Sequence, residues 1–200
     1  MIWIILILII GYLLGSISPA YIIGKAKGVD IRKVGSKNAG ATNAWKSLGK
    51  LAGVITAVFD VFKGMFALLL GLYLSNIFGF SINWAFIAGA LAIVGHNWPF
   101  YMQFKGGKGV ATTYGLMIFS FICVIGNYYL NMWIFIISFA VSIIILSITK
   151  KPNIIYFIFS PIIIGLLIYL AGINSWTIFA LLLTIYVYIR AIMTFRENRK

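Results

Sequence analysis

The segment GSKNAGATN, residues 35–43, combines glycines with hydroxyl and amide side chains and has almost no apolar content. Gly35 and Gly40 let backbone N–H groups approach an anion closely, and Ser36, Asn38, Thr42 and Asn43 add side-chain donors, so the stretch suits a phosphate cradle. The alternative is an ordinary polar loop or helix cap. A second segment, GHNWPFYMQFKGGKGVATTYG at 95–115, sets Lys105 and Lys108 on either side of Gly106 and Gly107, immediately before an apolar run. Ammonium groups and the N-terminal N–H groups of a new helix then fall at one spot, where an anion would be held. A basic turn that only sets membrane topology is the other reading. Asp60 and Lys63, in DVFKG, stand three apart inside an apolar stretch and therefore share a helix face. Ionisable groups there are costly and turn towards a protein interior or cavity, either as functional groups or as an ion pair tying helices together. His96, the only histidine, can hydrogen-bond a substrate, carry a proton or serve as a packing residue.

The same inventory argues against other chemistries. One His and one Cys do not make a metal site, and nothing in the chain calls for a cofactor. No Ser-His-Asp or Cys-His spacing supports a covalent intermediate. GGKG lacks the leading glycine and trailing hydroxyl of a nucleotide P-loop, which argues against ATP or GTP. Cys123, alone in an apolar stretch, cannot form an internal disulfide and reads as a packing residue.

The elements that must position these groups follow from composition. With 62% hydrophobic and 10% charged residues and a mean hydropathy of +1.06, the 200-residue chain has too little polar surface for a soluble globule. It is expected to be an all-α integral membrane protein, because a helix satisfies its own backbone groups in lipid. A crossing takes roughly 20 apolar residues, so one domain over 1–200 with about seven spans is the limit. The predicted spans are 2–23, 51–74, 84–104, 110–129, 132–149, 154–171 and 176–193, the first read as an uncleaved span. The weakest boundary is the polar break GNYYLN at 126–131. A wholly or partly helical segment on the inner face is expected within the polar connector 25–50. The formal net charge of +13 comes from cations beside apolar spans, which points to anionic lipid and the positive-inside rule, with no nucleic acid. With the N-terminus outside, the basic stretches at 24–50, 105–109, 150–151 and 196–200 all fall inside and the C-terminus is cytoplasmic. Trp84, Trp133 and Trp176 then lie near the uncharged ends, as an aromatic belt requires.

Taken in order, GSKNAGATN followed by LGK, then DVFKG, then GHNWPFYMQFKGGKGVAT resemble the acyl-phosphate-dependent glycerol-3-phosphate acyltransferases of bacteria, the PlsY family. LLGSISPAYIIGKAKGVDIRKVGSKNAGATN also resembles that family's first span and following loop, so the likeness is specific over residues 13–115. It implies a seven-span enzyme of the bacterial plasma membrane with its active site on the cytoplasmic side. Such an enzyme moves a fatty acyl group from acyl phosphate to the 1-hydroxyl of sn-glycerol 3-phosphate, giving lysophosphatidic acid for phospholipid synthesis. The implied partners are those two substrates, membrane lipids and, by functional coupling, a soluble acyl-phosphate synthase. The family's matching positions carry over as Ser36, Asn38, Thr42 and Asn43 in the first loop and Lys105, Gly106, Gly107 and Lys108 in the second.

The residues support this separately. Two phosphate-bearing substrates need two anion holes near the inner headgroups, and acyl phosphate, a mixed anhydride, needs positioning and charge neutralisation more than a strong nucleophile. Lys108 and the first-loop amides are expected to hold phosphates and the leaving group, while the hydroxyl proton passes to a substrate phosphate oxygen, to His96 or to Asp60. Three departures are visible. Lys46 stands where the family has Arg, KKPNIIYFIFSP replaces a serine-rich motif, and Phe195 in TFRENRK takes the place of the usual His. They leave open a non-catalytic paralogue that binds lipid or acyl phosphate, with a small anion transporter as a further alternative.

Overall fold

The computed structural model describes residues 1–128, 172–197 and the single positions 161, 164, 165, 168 and 169. The described residues are helices joined by turns, with no strand among them. They fall into two compact units, Met1–Leu116 and Met117–Lys200, with the border inside a helix.

In the first unit, α1 (Ile2–Ser16) and α2 (Pro19–Ala26) replace the single predicted span 2–23, meeting at a bend of 48°. Pro19 is the cause. It has no N–H to continue a helix, suits a first helical turn, and forces its predecessor out of the helical region. Ile17 and Ser18 are accordingly extended, and the Ser18 hydroxyl accepts the Tyr21 N–H to cap α2. The connector that follows contains α3 (Ala41–Leu48), the expected helical segment. Next comes α4 (Lys50–Phe78), whose 29 residues span about 43 Å at 1.5 Å per residue and are long and apolar enough to cross a bilayer. α5 (Asn83–Asn97) stops seven residues short of the predicted 84–104, because Pro99 again interrupts the ladder. A single 3-10 turn at Phe100–Met102 follows, and then Gln103 and Phe104 with left-handed φ of 56° and 58°. α6 (Val110–Tyr128) begins where 110–129 is predicted.

The face pattern of α4 is inverted relative to a water-soluble helix. Val54, Val58, Phe62, Phe66, Leu69 and Tyr73 are exposed, whereas Gly53, Thr56, Asp60, Lys63, Gly64, Ala67 and Gly71 are buried. Large apolar side chains outside and small or polar ones inside suit a lipid solvent, in which close backbone packing holds helices together. α1 and α5 show the same device: Cβ atoms added at Gly11 and Gly15 would run into the backbone of Ala88 and Ala92.

In the second unit, α7 (Ser175–Glu197) covers the predicted span 176–193. Asn174 caps it, its Oδ1 accepting N–H groups of Trp176 and Thr177 at 2.9 and 3.1 Å. The predicted span 132–149 lies outside the described residues, and 154–171 does so apart from the five single positions, all helical. The polar break 126–131 is described only to Tyr128, within α6.

Candidate active site

The first loop is organised around one amide. Asn43, in the first turn of α3, is buried, and its Oδ1 accepts the Ser36 N–H at 3.1 Å and the Ser47 hydroxyl at 3.2 Å. Its Nδ2 faces the carbonyls of Ile31, Val34 and Asn38 at 3.0–3.1 Å. An amide has two protons, so three acceptors share them. Residues 31–38 are thereby wound around the start of α3. Gly35, at φ 55°, lies so close that a Cβ there would meet Asn43 Oδ1, and a Cβ at Gly40 would meet Asn38 Nδ2. Ser36, Thr42 and Lys46 are exposed, and Asn38 is half-buried.

The second constellation lies beneath the glycine turn. Asp60 and Lys63 on α4 are each 2% exposed and pair at 2.7 Å, which satisfies the expectation that they face the interior. Lys63 Nζ also donates to Ile17 O at 2.9 Å, a carbonyl left without a helical partner by the break before Pro19. His96 Nδ1 stands 3.3 Å from Asp60 Oδ1. The N–H groups of Gly106 and Gly107 donate to Asn97 O and His96 O at 3.0 and 2.9 Å. These two N–H groups, on glycines that the family resemblance offers as phosphate ligands, thus cap the end of α5 and hold the turn in place. The N–H groups left without a helical partner at this turn are those of the first turn of α6, which Lys108 precedes by two residues. Lys105 is exposed and Lys108 half-buried.

Two groups outside the sequence-derived set join the loops. Arg32 grips Asp30 through Nε and a terminal nitrogen, both at 2.9 Å, and its other terminal nitrogen donates to Met102 O at 2.8 Å. The hydrogen bonding of the Arg32 side chain to the Asp30 carboxylate is the main reason the pKa of Asp30 is lowered to about 2. Met102 is fully buried among Ile31, Ala39, Ala44 and Leu48, so the turn after α5 plugs the first loop from below. The Tyr101 hydroxyl donates to Ser16 O at 2.8 Å and accepts the Ser18 N–H at 3.1 Å, closing the α1–α2 break from the other side. A signal for Arg32 was present as the D-x-R spacing, but its carbonyl partner lies 70 residues away. Among the described residues no group of three or more His, Cys, Asp or Glu side chains gathers as metal ligands would.

A protein whose described residues are all helical, with large apolar side chains turned outward and two glycine-rich basic loops drawn to one end of its first unit, has the build of a membrane protein. A family model described as glycerol-3-phosphate acyltransferase matches residues 5–200, and the chain belongs to that family. It is 48% identical over 112 residues to glycerol-3-phosphate acyltransferase 1 of Deinococcus radiodurans, covering 56% of this chain and 54% of that protein. A relative of the same name from Endomicrobium trichonymphae is 50% identical over 113 residues, covering 56% of this chain and 55% of that protein. The chain thus spans about half the length of these two curated relatives. The match to the glycerol-3-phosphate acyltransferase of Thermosipho melanesiensis is longer, 35% identity over 170 residues, or 85% of this chain and 76% of that one. The crystal structure of PlsY, an integral membrane glycerol 3-phosphate acyltransferase, in its glycerol 3-phosphate form superposes with a TM-score of 0.74 at 29% identity. That superposition covers 98% of this chain and 91% of that one.

Proposed function

We propose that the protein transfers a fatty acyl group from acyl phosphate to the 1-hydroxyl of glycerol 3-phosphate, releasing inorganic phosphate and lysophosphatidic acid. The observation that supports this is the convergence of both loops on Met102 and Arg32, which brings the two glycine-rich basic segments to one end of the first unit. The hydroxyl oxygen attacks the acyl carbon, an ester C–O bond forms, and the anhydride C–O bond breaks. Phosphate leaves with the electron pair and takes the hydroxyl proton on one of its oxygens. The protein supplies alignment and positive charge.

Lys108 and the first turn of α6 receive one phosphate, with Lys105 at the rim. Ser36, Asn38, Thr42 and Lys46 receive the other on the first loop, with Gly35 and Gly40 admitting its backbone and Asn43 holding its shape. Asp60, Lys63 and His96 are buried, and their part is to support the site. We further propose one domain over 1–200 with seven spans, the N-terminus outside and the loops on the cytoplasmic face of a bacterial plasma membrane. There a soluble acyl-phosphate synthase would deliver the donor. The test is product formation by purified protein given palmitoyl phosphate and glycerol 3-phosphate, beside Lys108→Ala. Lysophosphatidic acid that disappears in the variant supports reaction and site together. A folded protein that binds acyl phosphate without turnover overturns the proposal in favour of a non-catalytic binder, and phosphate uptake into vesicles would favour a transporter.

A further inference from the structure

We propose that Asp60 is a positioning residue for the glycine turn at 105–108, acting through the imidazole of His96. The inference rests on the reading of that turn as phosphate-binding. Asp60 Oδ1 faces His96 Nδ1 at 3.3 Å, and a carboxylate on that side places the ring proton on Nδ1. The opposite edge of the ring lies directly under Gly107. A Cβ at residue 107 would meet Nε2 and come within 2.6 Å of Cε1 and 2.9 Å of Cδ2. Gly107 and Gly106 are also tied to the backbone of His96 and Asn97. The turn is therefore built on the last two residues of α5, with the ring as its floor, and the ring cannot rotate without lifting Gly107. The carboxylate that sets this rotation comes from α4, about 15 Å along that helix from its start at Lys50.

Lys63 has a separate task. Its ammonium neutralises Asp60 and clasps Ile17 O at the broken end of α1, so one buried ion pair links the α1–α2 break, α4 and the phosphate turn. His96 is 6% exposed and covered by Gly107, which fits a support and leaves no approach for a substrate hydroxyl.

The test compares two double variants that both remove the buried cation. Asp60→Asn/Lys63→Met keeps an oxygen that can face His96 Nδ1, and Asp60→Leu/Lys63→Met does not. The KM for the substrate whose phosphate the turn holds, read for glycerol 3-phosphate and for palmitoyl phosphate alike, is expected to be about tenfold or more higher in the leucine variant than in the asparagine variant, with kcat changing less. Calorimetric titration with that substrate and with inorganic phosphate should show the same ratio without turnover. Equal KM values and affinities in the two variants, or a loss confined to kcat, overturn the proposal. The second outcome would make the pair a proton acceptor. Since His96 is the only histidine, its imidazole nitrogen shifts report the tautomer directly. Wild type should hold the proton on Nδ1, and an Nε2-protonated ring would overturn the proposal even if the leucine variant failed to fold. Absent turnover in wild type would count against the acyltransferase reading alone, because the tautomer and phosphate affinity are measured independently.

Discussion

Replacing Asn43 by alanine should unfold the first loop before it affects anything else. The amide oxygen accepts two hydrogen bonds, and two amide protons are shared among three carbonyls, so at most four full bonds disappear. At about 1 kcal/mol net for each, the loss reaches ~4 kcal/mol. Ser36 is exposed and Ser47 half-buried, so water can replace their two bonds, while Ile31 O, which Asn43 reaches in the buried core, stays unpaired. A loss of about 2–3 kcal/mol remains, equivalent to a fall in melting temperature of roughly 4–12 °C for a chain of this size. Thermal unfolding of the detergent-solubilised protein, followed by tryptophan fluorescence, reads it. Asn43→Asp gives the sharper contrast, since it keeps the shape but turns a two-proton donor into an acceptor facing three carbonyls. It should melt at or below the alanine variant. If either variant melts within about 1 °C of wild type, the amide does not organise the loop, and any loss of turnover would have to come from direct contact with substrate.

Gly107→Ala should drive its methyl into the His96 ring, and a turn displaced by about 1 Å is expected to cost on the order of a hundredfold in kcat/KM, with protein yield nearly retained. Turnover within threefold of wild type would mean that the turn tolerates displacement. The Asp30–Arg32 pair should make the loop resistant to mild acid. Because the Asp30 carboxyl lies at about 2 in the folded protein against 3.8 ordinarily, its contribution is complete above pH 3.8 and is lost as pH falls towards 2. Arg32→Gln should abolish that dependence, and melting curves between pH 2 and 5 would show whether it does.

The helical class, the membrane setting and the two loops are legible in the sequence because each depends on local composition. Apolar runs of bilayer length need no partner to be recognised, and glycine mixed with hydroxyls, amides and lysines marks a polar backbone wherever it folds. The boundaries at Ser18–Pro19 and Trp98–Pro99 were also written locally, since a proline removes an N–H from the ladder, yet hydropathy averaged over a span passes across both. Which donors remain for an anion was not legible. Gly106 and Gly107 have the chemistry of phosphate ligands, but their N–H groups go to the carbonyls that end α5, and only the tertiary path decides that. The same holds for Asn43, a ligand by type and a loop organiser by its five neighbours, and for Arg32 and Tyr101, whose partners lie 70 and 85 residues away along the chain. For Asp60 and Lys63 the spacing fixes a shared helix face, while His96 comes from α5 and the carbonyl of Ile17 from the break between α1 and α2. Composition decides which solvent a segment prefers. Each donor's acceptor is decided by which chain segments come within 3 Å of one another, and that is a property of the packed fold.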